Sequence, residues 1–402
     1  MPANLIPELL FLLLPVAAMS GWLIARKGCG RKSDAKSACA NEPDYYKGLN
    51  FLLNEQPDKA IDVFIHLLEV DSETVETHLA LGTLFRKRGE VDRAIRLHQN
   101  LIARPSLGQD QRANALLELG QDYLNAGLHD RAENLFNELI ESGRLQVKAL
   151  ENLKEIYQYE KVWDKCLKVV KRLQQESGNS YANEISHYYC ELAEQARKNN
   201  DRQKQADFIK KARQASTDSI RAMMMEALLE VENERYSKAL TLFNRIIESE
   251  PAFINEVLDK WVYCYKQTGK DQELQSTLTE LYDKTLSSQV LQRIVQLLKD
   301  KQGDEAASEF LLQQIGQHSS LQTLGLLTNI KTPIVDAKSQ KVLNLVSQAL
   351  NEEIHKRPAY ICGRCGFSAK TLHWQCPGCR SWGKITPVNE QDRHCLTSME
   401  IN

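Results

Sequence analysis

The stretch 77–99, THLALGTLFRKRGEVDRAIRLHQ, decides how this chain folds. It places Gly82, Ala94 and His98 at offsets 0, 12 and 16, with Phe85 three residues after the glycine. Gly48, Ala60 and Phe64 show the same spacing 34 residues earlier, and Gly120, Ala132 and Phe136 show it 38 residues later. Phe51 and Tyr123 again follow three residues after their glycines. Further on, Ala227, Ala239 and Phe243 match it, with Pro251 eight residues later. A small residue on each of two successive helices lets the helices approach, and large residues fill the space between them. Leu81, Phe85, Ile95 and Leu101 fall on the inward faces, while Gly89 and Gly127 mark the turns between paired helices.

This pattern resembles the tetratricopeptide repeat, a hairpin of two antiparallel helices. Repeats one to three cover about 45–143, and a fourth covers about 147–178 with Tyr157 and Val170. A degenerate fifth spans about 184–216 with Ala206, a sixth spans about 220–251, and a seventh begins near Trp261. From 286 to 355 the helical period continues while the signature fades. Stacked hairpins form a superhelix whose concave groove binds a helix or an extended peptide of a partner. Met223, Met224 and Met225 form a soft patch that reads as core packing before it reads as a binding surface. The pairs Tyr45-Tyr46 and Tyr188-Tyr189 read as packing too.

Bulk properties agree. With 42% hydrophobic and 26% charged residues over 402 positions, the chain is a folded body rather than a disordered one. Only 19 glycines and 11 prolines leave helices uninterrupted. A net charge of -2 and the lack of an extended basic face argue against nucleic acid as a partner. There is no phosphate-cradling glycine loop, no Ser/His/Asp order and no HExxH, so the expectation is no enzyme and no catalytic residues.

Near the end, Cys362 and Cys365 lie in Cys-Gly-Arg-Cys-Gly, and Cys376 and Cys379 in Cys-Pro-Gly-Cys-Arg. Each pair can curl into a tight turn that presents two sulfurs, with Gly366 permitting the backbone conformation. Two facing turns give a tetrahedral four-thiolate site for one metal ion, iron or zinc. The segment Tyr360 to Trp382 is too small to bury an adequate core, and a bound metal supplies on the order of 10 kcal/mol of folding free energy. Phe367, Trp374 and Trp382 are more apolar surface than so small a unit can hide, which predicts docking against the repeats. The other six cysteines show no disulfide spacing and indicate a reducing compartment. Cys166 and Cys190 sit in helical patterns as core fillers; Cys29 and Cys39 lie within reach of acylation.

Leu9 to Ala25 is a run of 17 residues without a charge. As a helix it reaches about 26 Å, just enough to span a bilayer core. A cleaved signal peptide is the rival reading, but only Glu8 precedes the run where a positive region is required. Arg26, Lys27, Arg31, Lys32 and Lys36 follow it, so positive-inside bias places the N-terminus outside and the body in the cytoplasm.

Taken in order, the anchor "ELLFLLLPVAAMSGW", the repeats "GLNFLLNEQPDKAIDVF" and "LGQDYLNAGLHDRAENLFNELI", and the closing "YICGRCGFSAKTLHWQCPGC" resemble the lipopolysaccharide assembly protein B family of Gram-negative bacteria. The resemblance implies an inner-membrane regulatory adaptor that promotes proteolysis of the lipid A pathway deacetylase. Its implied partners are that deacetylase, a membrane ATP-dependent metalloprotease and a lipopolysaccharide-sensing inner-membrane protein. It also implies a rubredoxin-like metal module whose ligands fall on Cys362, Cys365, Cys376 and Cys379. A general scaffold for envelope enzymes and a rubredoxin-type electron carrier are the alternatives. The fold expected is all-α: a tetratricopeptide superhelix with an N-terminal transmembrane helix and a small rubredoxin-like or zinc-ribbon module. Its parts are an anchor at 1–25, a basic linker at 26–44, repeats at 45–285, degenerate helical repeats or a cap at 286–357, the metal module at 358–386 and a tail at 387–402.

Overall fold

The structure, a computed structural model, describes residues 42–54, 56–70, 75–317, 323–326 and 337–388. The apolar run 9–25, Cys29, Cys39 and Cys395 lie outside the described residues, as does the tail beyond 388. Among the described residues no helix is long and apolar enough to cross a membrane. Contacts divide the chain into two compact units, Met1–Glu160 and Lys161–Asn402.

The first unit holds α1 (Glu42–Leu53), α2 (Pro57–Val70), α3 (Val75–Lys87), α4 (Val91–Ile102), α5 (Gln109–Asn125), α6 (His129–Glu141) and α7 (Gln146–Tyr159). Helices α1 to α6 pack as three successive hairpins. The volumes at offsets 0 and 16 explain them. A Cβ on Gly48 would stand 2.7 Å from the Phe64 ring, and one on Gly120 would stand 2.5 Å from the Phe136 ring. A Cβ on Gly82 would run into the His98 imidazole. Ala60, Ala94 and Ala132 are fully buried on the second helices. Ile95 is only half-buried, but Leu81, Phe85 and Leu101 turn inward as expected. Gly120→Ala therefore overpacks the hairpin and costs about 1–3 kcal/mol, read as a lower denaturation midpoint with an unchanged slope.

The second unit holds α8 (Trp163–Ser177), α9 (Ala182–Lys198), α10 (Arg202–Ala215), α11 (Ile220–Glu232), α12 (Tyr236–Ser249), α13 (Ile254–Gln267), α14 (Asp271–Thr285), α15 (Ser288–Gln302), α16 (Asp304–Gln317) and α17 (Ala337–Lys356). Side-chain caps from Asp201, Ser219 and Ser287 start α10, α11 and α15 by accepting backbone N–H bonds. First helices of successive hairpins, α9, α11, α13 and α15, pack side by side as one layer.

The repeat frame continues further than its signature. Ala193, Gln205 and Ile209 occupy offsets 0, 12 and 16 in the α9–α10 hairpin, and all are buried. Ala206, which the sequence suggested as the marker there, is exposed, so that repeat is set one residue earlier. Val262, Leu274 and Leu278 carry the frame onward, followed by Val295, Ala307 and Leu311, all buried. A leucine at offset 16 is smaller than a phenylalanine and leaves room for valine at offset 0. The exchange conserves volume, so the packing persists while the glycine signal disappears.

Met223 is buried, and Met224 and Met225 pack partly buried against cores, so the methionine run is packing. Tyr188 is fully buried and Tyr189 stacks near Phe208 at 6.4 Å. Cys166, Cys190 and Cys264 are buried and form no disulfide. Burial pushes Cys190 up to about 12, against the Arg221 charge and with the help of Glu194 and Glu191, which makes it inert.

Candidate metal centre

After α17 the chain forms a three-stranded antiparallel sheet in the order β2-β1-β3, from β1 (Tyr360–Cys362), β2 (Ser368–Ala369) and β3 (Ile385–Pro387). Its register pairs Ile361 with Ser368 on one side and with Thr386 on the other. The module is thus a small β unit, while the other regular elements among the described residues are helices.

Two knuckles carry the cysteines. In the first, the Gly366 N–H donates to the Cys362 carbonyl at 2.9 Å, and Gly366 turns the chain with φ of 73°. In the second, the Arg380 N–H donates to the Cys376 carbonyl at 2.8 Å, and Arg380 itself takes a positive φ of 56°. Glycine marked the first knuckle; nothing in the residue type marked the second.

The four sulfurs lie within 4.8 Å of one another. Cys362 Sγ is 3.7 Å from Cys379 Sγ, and Cys365 Sγ is 3.6 Å from Cys376 Sγ. A tetrahedral zinc with bonds of about 2.3 Å requires sulfur separations of about 3.8 Å. Disulfides require about 2 Å, so the set fits a metal and not two cross-links. The electrostatics agree. The Ser381 hydroxyl, 2.8 Å from the Cys379 sulfur, and the Ser381 N–H pull that thiol down to about 6. The Phe367 N–H pulls Cys365 down, but desolvation and the three surrounding thiols outweigh it and push the group up to about 12. Thiolates this close repel, and a divalent cation among them relieves the repulsion. When bound, such an ion supplies folding free energy if zinc, and a one-electron couple if iron.

The module rests on the second unit through two tryptophans. Trp382, 5% exposed, stacks on His187 at 5.1 Å and meets the edges of Trp163 and Tyr188 at 5.8 Å each. Trp374 lies parallel to Phe253 at 5.9 Å, with the Arg221 guanidinium 5.7 Å from its ring. Asn183 Nδ2 donates to the Trp382 carbonyl at 3.3 Å, and the Tyr360 hydroxyl donates to Glu256. Arg221, 3% exposed, is neutralised by Glu191 at 2.8 Å and Glu194 at 2.7 Å. Phe367 does not join this interface; it packs inside the module against the cysteines. The module therefore covers the layer formed by α9, α11 and α13. His187, Arg221, Asn183, Phe253 and Glu256 had no signal in the sequence, since each sits in an ordinary helical pattern.

His187 gives this contact a pH dependence. Burial, then the nearby Arg221 charge, hold its imidazole down to about 3. An unfolded histidine titrates near 6.5, so docking is stable above that pH and weakens as pH falls from about 6.5 toward 3. The expected slope is about 1.4 kcal/mol per pH unit within that window. Tryptophan fluorescence of wild type and His187→Gln across the window checks it: the variant should show a flatter slope.

A family profile described as the rubredoxin metal binding domain matches residues 360–387, and a tetratricopeptide repeat profile matches 77–111. Lipopolysaccharide assembly protein B of Escherichia coli (strain K12) is 36% identical over 387 residues, covering 96% of this chain and 99% of that protein. This chain belongs to the lipopolysaccharide assembly protein B family. The family member of Haemophilus influenzae is 32% identical over 399 residues, covering 96% of this chain and all of that protein (100%). Among solved structures, the crystal structure of MamA protein is similar at 18% identity and a TM-score of 0.34, over 43% of this chain and 90% of that one. Naa15/Naa10 bound to HypK-THB is similar at 12% identity and a TM-score of 0.47, over 80% of this chain and 48% of that one.

Proposed function

We propose that this protein is a non-catalytic regulatory adaptor in lipopolysaccharide assembly, promoting proteolysis of the committed lipid A deacetylase by a membrane ATP-dependent metalloprotease. The observation that carries the reading is family membership over 96% of the chain, joined to a metal module docked on a stack of helical hairpins. Hairpin stacks expose long, shaped surfaces and suit protein partners. Cys362, Cys365, Cys376 and Cys379 hold one ion, iron or zinc, which keeps the module folded on that surface. The run Leu9–Ala25, with its basic residues following, anchors the body on the cytoplasmic side of the inner membrane. Anchoring confines the adaptor to the plane of a membrane protease and raises effective concentration without new contacts. A lipopolysaccharide-sensing inner-membrane protein would oppose the adaptor there.

Pulse-chase labelling of the deacetylase tests the reading. Depleting this protein should lengthen the deacetylase half-life. An unchanged half-life would reject the adaptor role in favour of a general assembly scaffold.

A further inference from the structure

Between Lys161 and Arg213 cations and carboxylates are interspersed, so the sequence shows no extended basic face. Folding pairs most of the carboxylates. Glu191 and Glu194 close on the buried Arg221, Asp201 takes Lys204 at 2.9 Å, and Asp207 takes Lys211 at 2.7 Å. A surplus of cations is left. Lys168, Lys171 and Arg172 on α8, Lys198 at the end of α9, and Arg202 and Lys210 on α10 are exposed. None of these six makes an ion pair among the described residues. Against them stand Asp164 at the start of α8 and Glu176 near its end, both exposed.

The repeat frame puts these charges on one side. Cys166 and Val170 hold on α8 the buried offsets 12 and 16 that Gln205 and Ile209 hold on α10. Lys171 and Arg172 on α8 are therefore equivalent to Lys210 and Lys211 on α10. Equivalent positions of successive hairpins face the same way, and α9 packs against both helices. Lys168, four residues before Arg172, extends the face along α8. The repeat itself does not require these cations: the same two positions hold Asn137 and Glu138 on α6, and Thr279 and Glu280 on α14. Among the described residues, α8 and α10 carry no exposed large hydrophobic side chain. A protein interface draws its energy from buried aromatic and aliphatic anchors, which this face lacks. A chain of net charge -2 draws no polyanion from solution, whereas a tethered body has its surface already at hand. Cations on long, flexible stems suit a flat and diffuse array of negative headgroups, where many small attractions add up.

We propose that the exposed cationic face of α8 and α10 is a membrane-contacting surface that rests on anionic phospholipid headgroups. The contact orients the second unit on the bilayer, where an anchor alone would leave it free to turn. This rests on the reading of Leu9–Ala25 as an anchor with the body on the cytoplasmic side, and it adds which side of the body meets the lipid.

Full-length protein in nanodiscs of phosphatidylcholine, alone or with about a third phosphatidylglycerol, tests this. A brief pulse of an acetylating reagent, read by peptide mass spectrometry, reports the accessibility of each lysine. In anionic discs acetylation of Lys168, Lys171 and Lys210 should slow about threefold or more, and about 1 M salt should restore it. Lys301 on α15, also exposed, should react alike in both discs. Lys171→Glu with Lys210→Glu should remove the protection of Lys168 and leave the thermal melt unchanged, since both side chains are exposed. Equal rates in the two discs, protection of Lys301 to the same degree, or protection of Lys168 that survives the double reversal would each overturn the proposal. Protection that appears only on adding polyglutamate would overturn it too, and would assign the face to an acidic polypeptide. Loss of the protein from the discs in high salt would reject the anchor and the proposal with it, a result distinct from equal rates in retained protein. The deacetylase half-life reports separately on the adaptor role.

Discussion

Cys376→Ser with Cys379→Ser should abolish metal binding and unfold residues 358–388. Two sulfurs remain, and both would have to hold the ion without the second knuckle. The sheet offers little in compensation: its strands are two or three residues long, and its buried core consists of Cys362, Cys376 and Ile385. On the order of 10 kcal/mol of metal-derived folding free energy is lost, more than so small a unit can replace. The effect extends beyond the module, because Trp374 and Trp382 then leave Trp163, His187, Tyr188 and Phe253. Metal content per chain should fall to zero, tryptophan fluorescence should shift to the red, and proteases should cut near 358–388. The helices of the second unit should retain their far-ultraviolet signal. Trp382→Ala separates the two roles, since it keeps the ion but removes the stacking, at a cost of about 3–5 kcal/mol. If regulation depends on docking, both variants lose it. A double-serine protein with an intact, protease-resistant module would show that the metal is dispensable for the fold.

Asp122→Ala should destabilise the first unit by about 3–5 kcal/mol, because it strips one acceptor from the buried His98 and the largely buried Arg86. The Asp122 carboxylate is fully buried and takes His98 Nδ1 at 2.5 Å and Arg86 Nη1 at 2.7 Å. Arg86 also reaches Glu118 at 2.6 Å and Gln121 at 3.0 Å, so four side chains of α3 and α5 converge with His98 of α4. His98 holds the position that Phe64 and Phe136 hold in the flanking repeats, and it is as buried as they are. Removing Asp122 leaves a largely buried guanidinium short of one anion and a buried imidazole without its acceptor. Urea unfolding and hydrogen exchange over α3 to α5 measure the loss. His98→Phe combined with Asp122→Leu should recover most of it, since replacing buried polar partners together by apolar groups avoids orphaned charge.

The hairpins at 45–143 were legible because a close helix approach demands glycine or alanine, and those residues recur at fixed offsets. Later hairpins obey the same geometry with Val262 against Leu278 and Val295 against Leu311, a compensation visible only when both partners are seen together. Turns behave alike. Gly89 and Gly127 announce a left-handed residue, with φ of 87° and 74°. Lys161 and Glu234 adopt the same region at φ of 58° and 59° with no comparable signal. Of the three aromatics marked for docking, Trp374 and Trp382 dock, and Phe367 is consumed by the module's own core.

The cysteine quartet and the repeat frame of 45–143 were determined by sequence alone, because both express distances of a few residues to one helical hairpin. Local geometry leaves a period or a spacing in the chain. Where the module sits was decided only by the tertiary structure. Asn183 bonds Trp382 across 199 residues, and Tyr360 reaches Glu256 across 104. Such contacts depend on which faces meet after the hairpins have stacked. A stacked face is assembled from single residues of several helices, His187, Arg221 and Phe253 among them, and no segment of the chain contains the pattern that they make together.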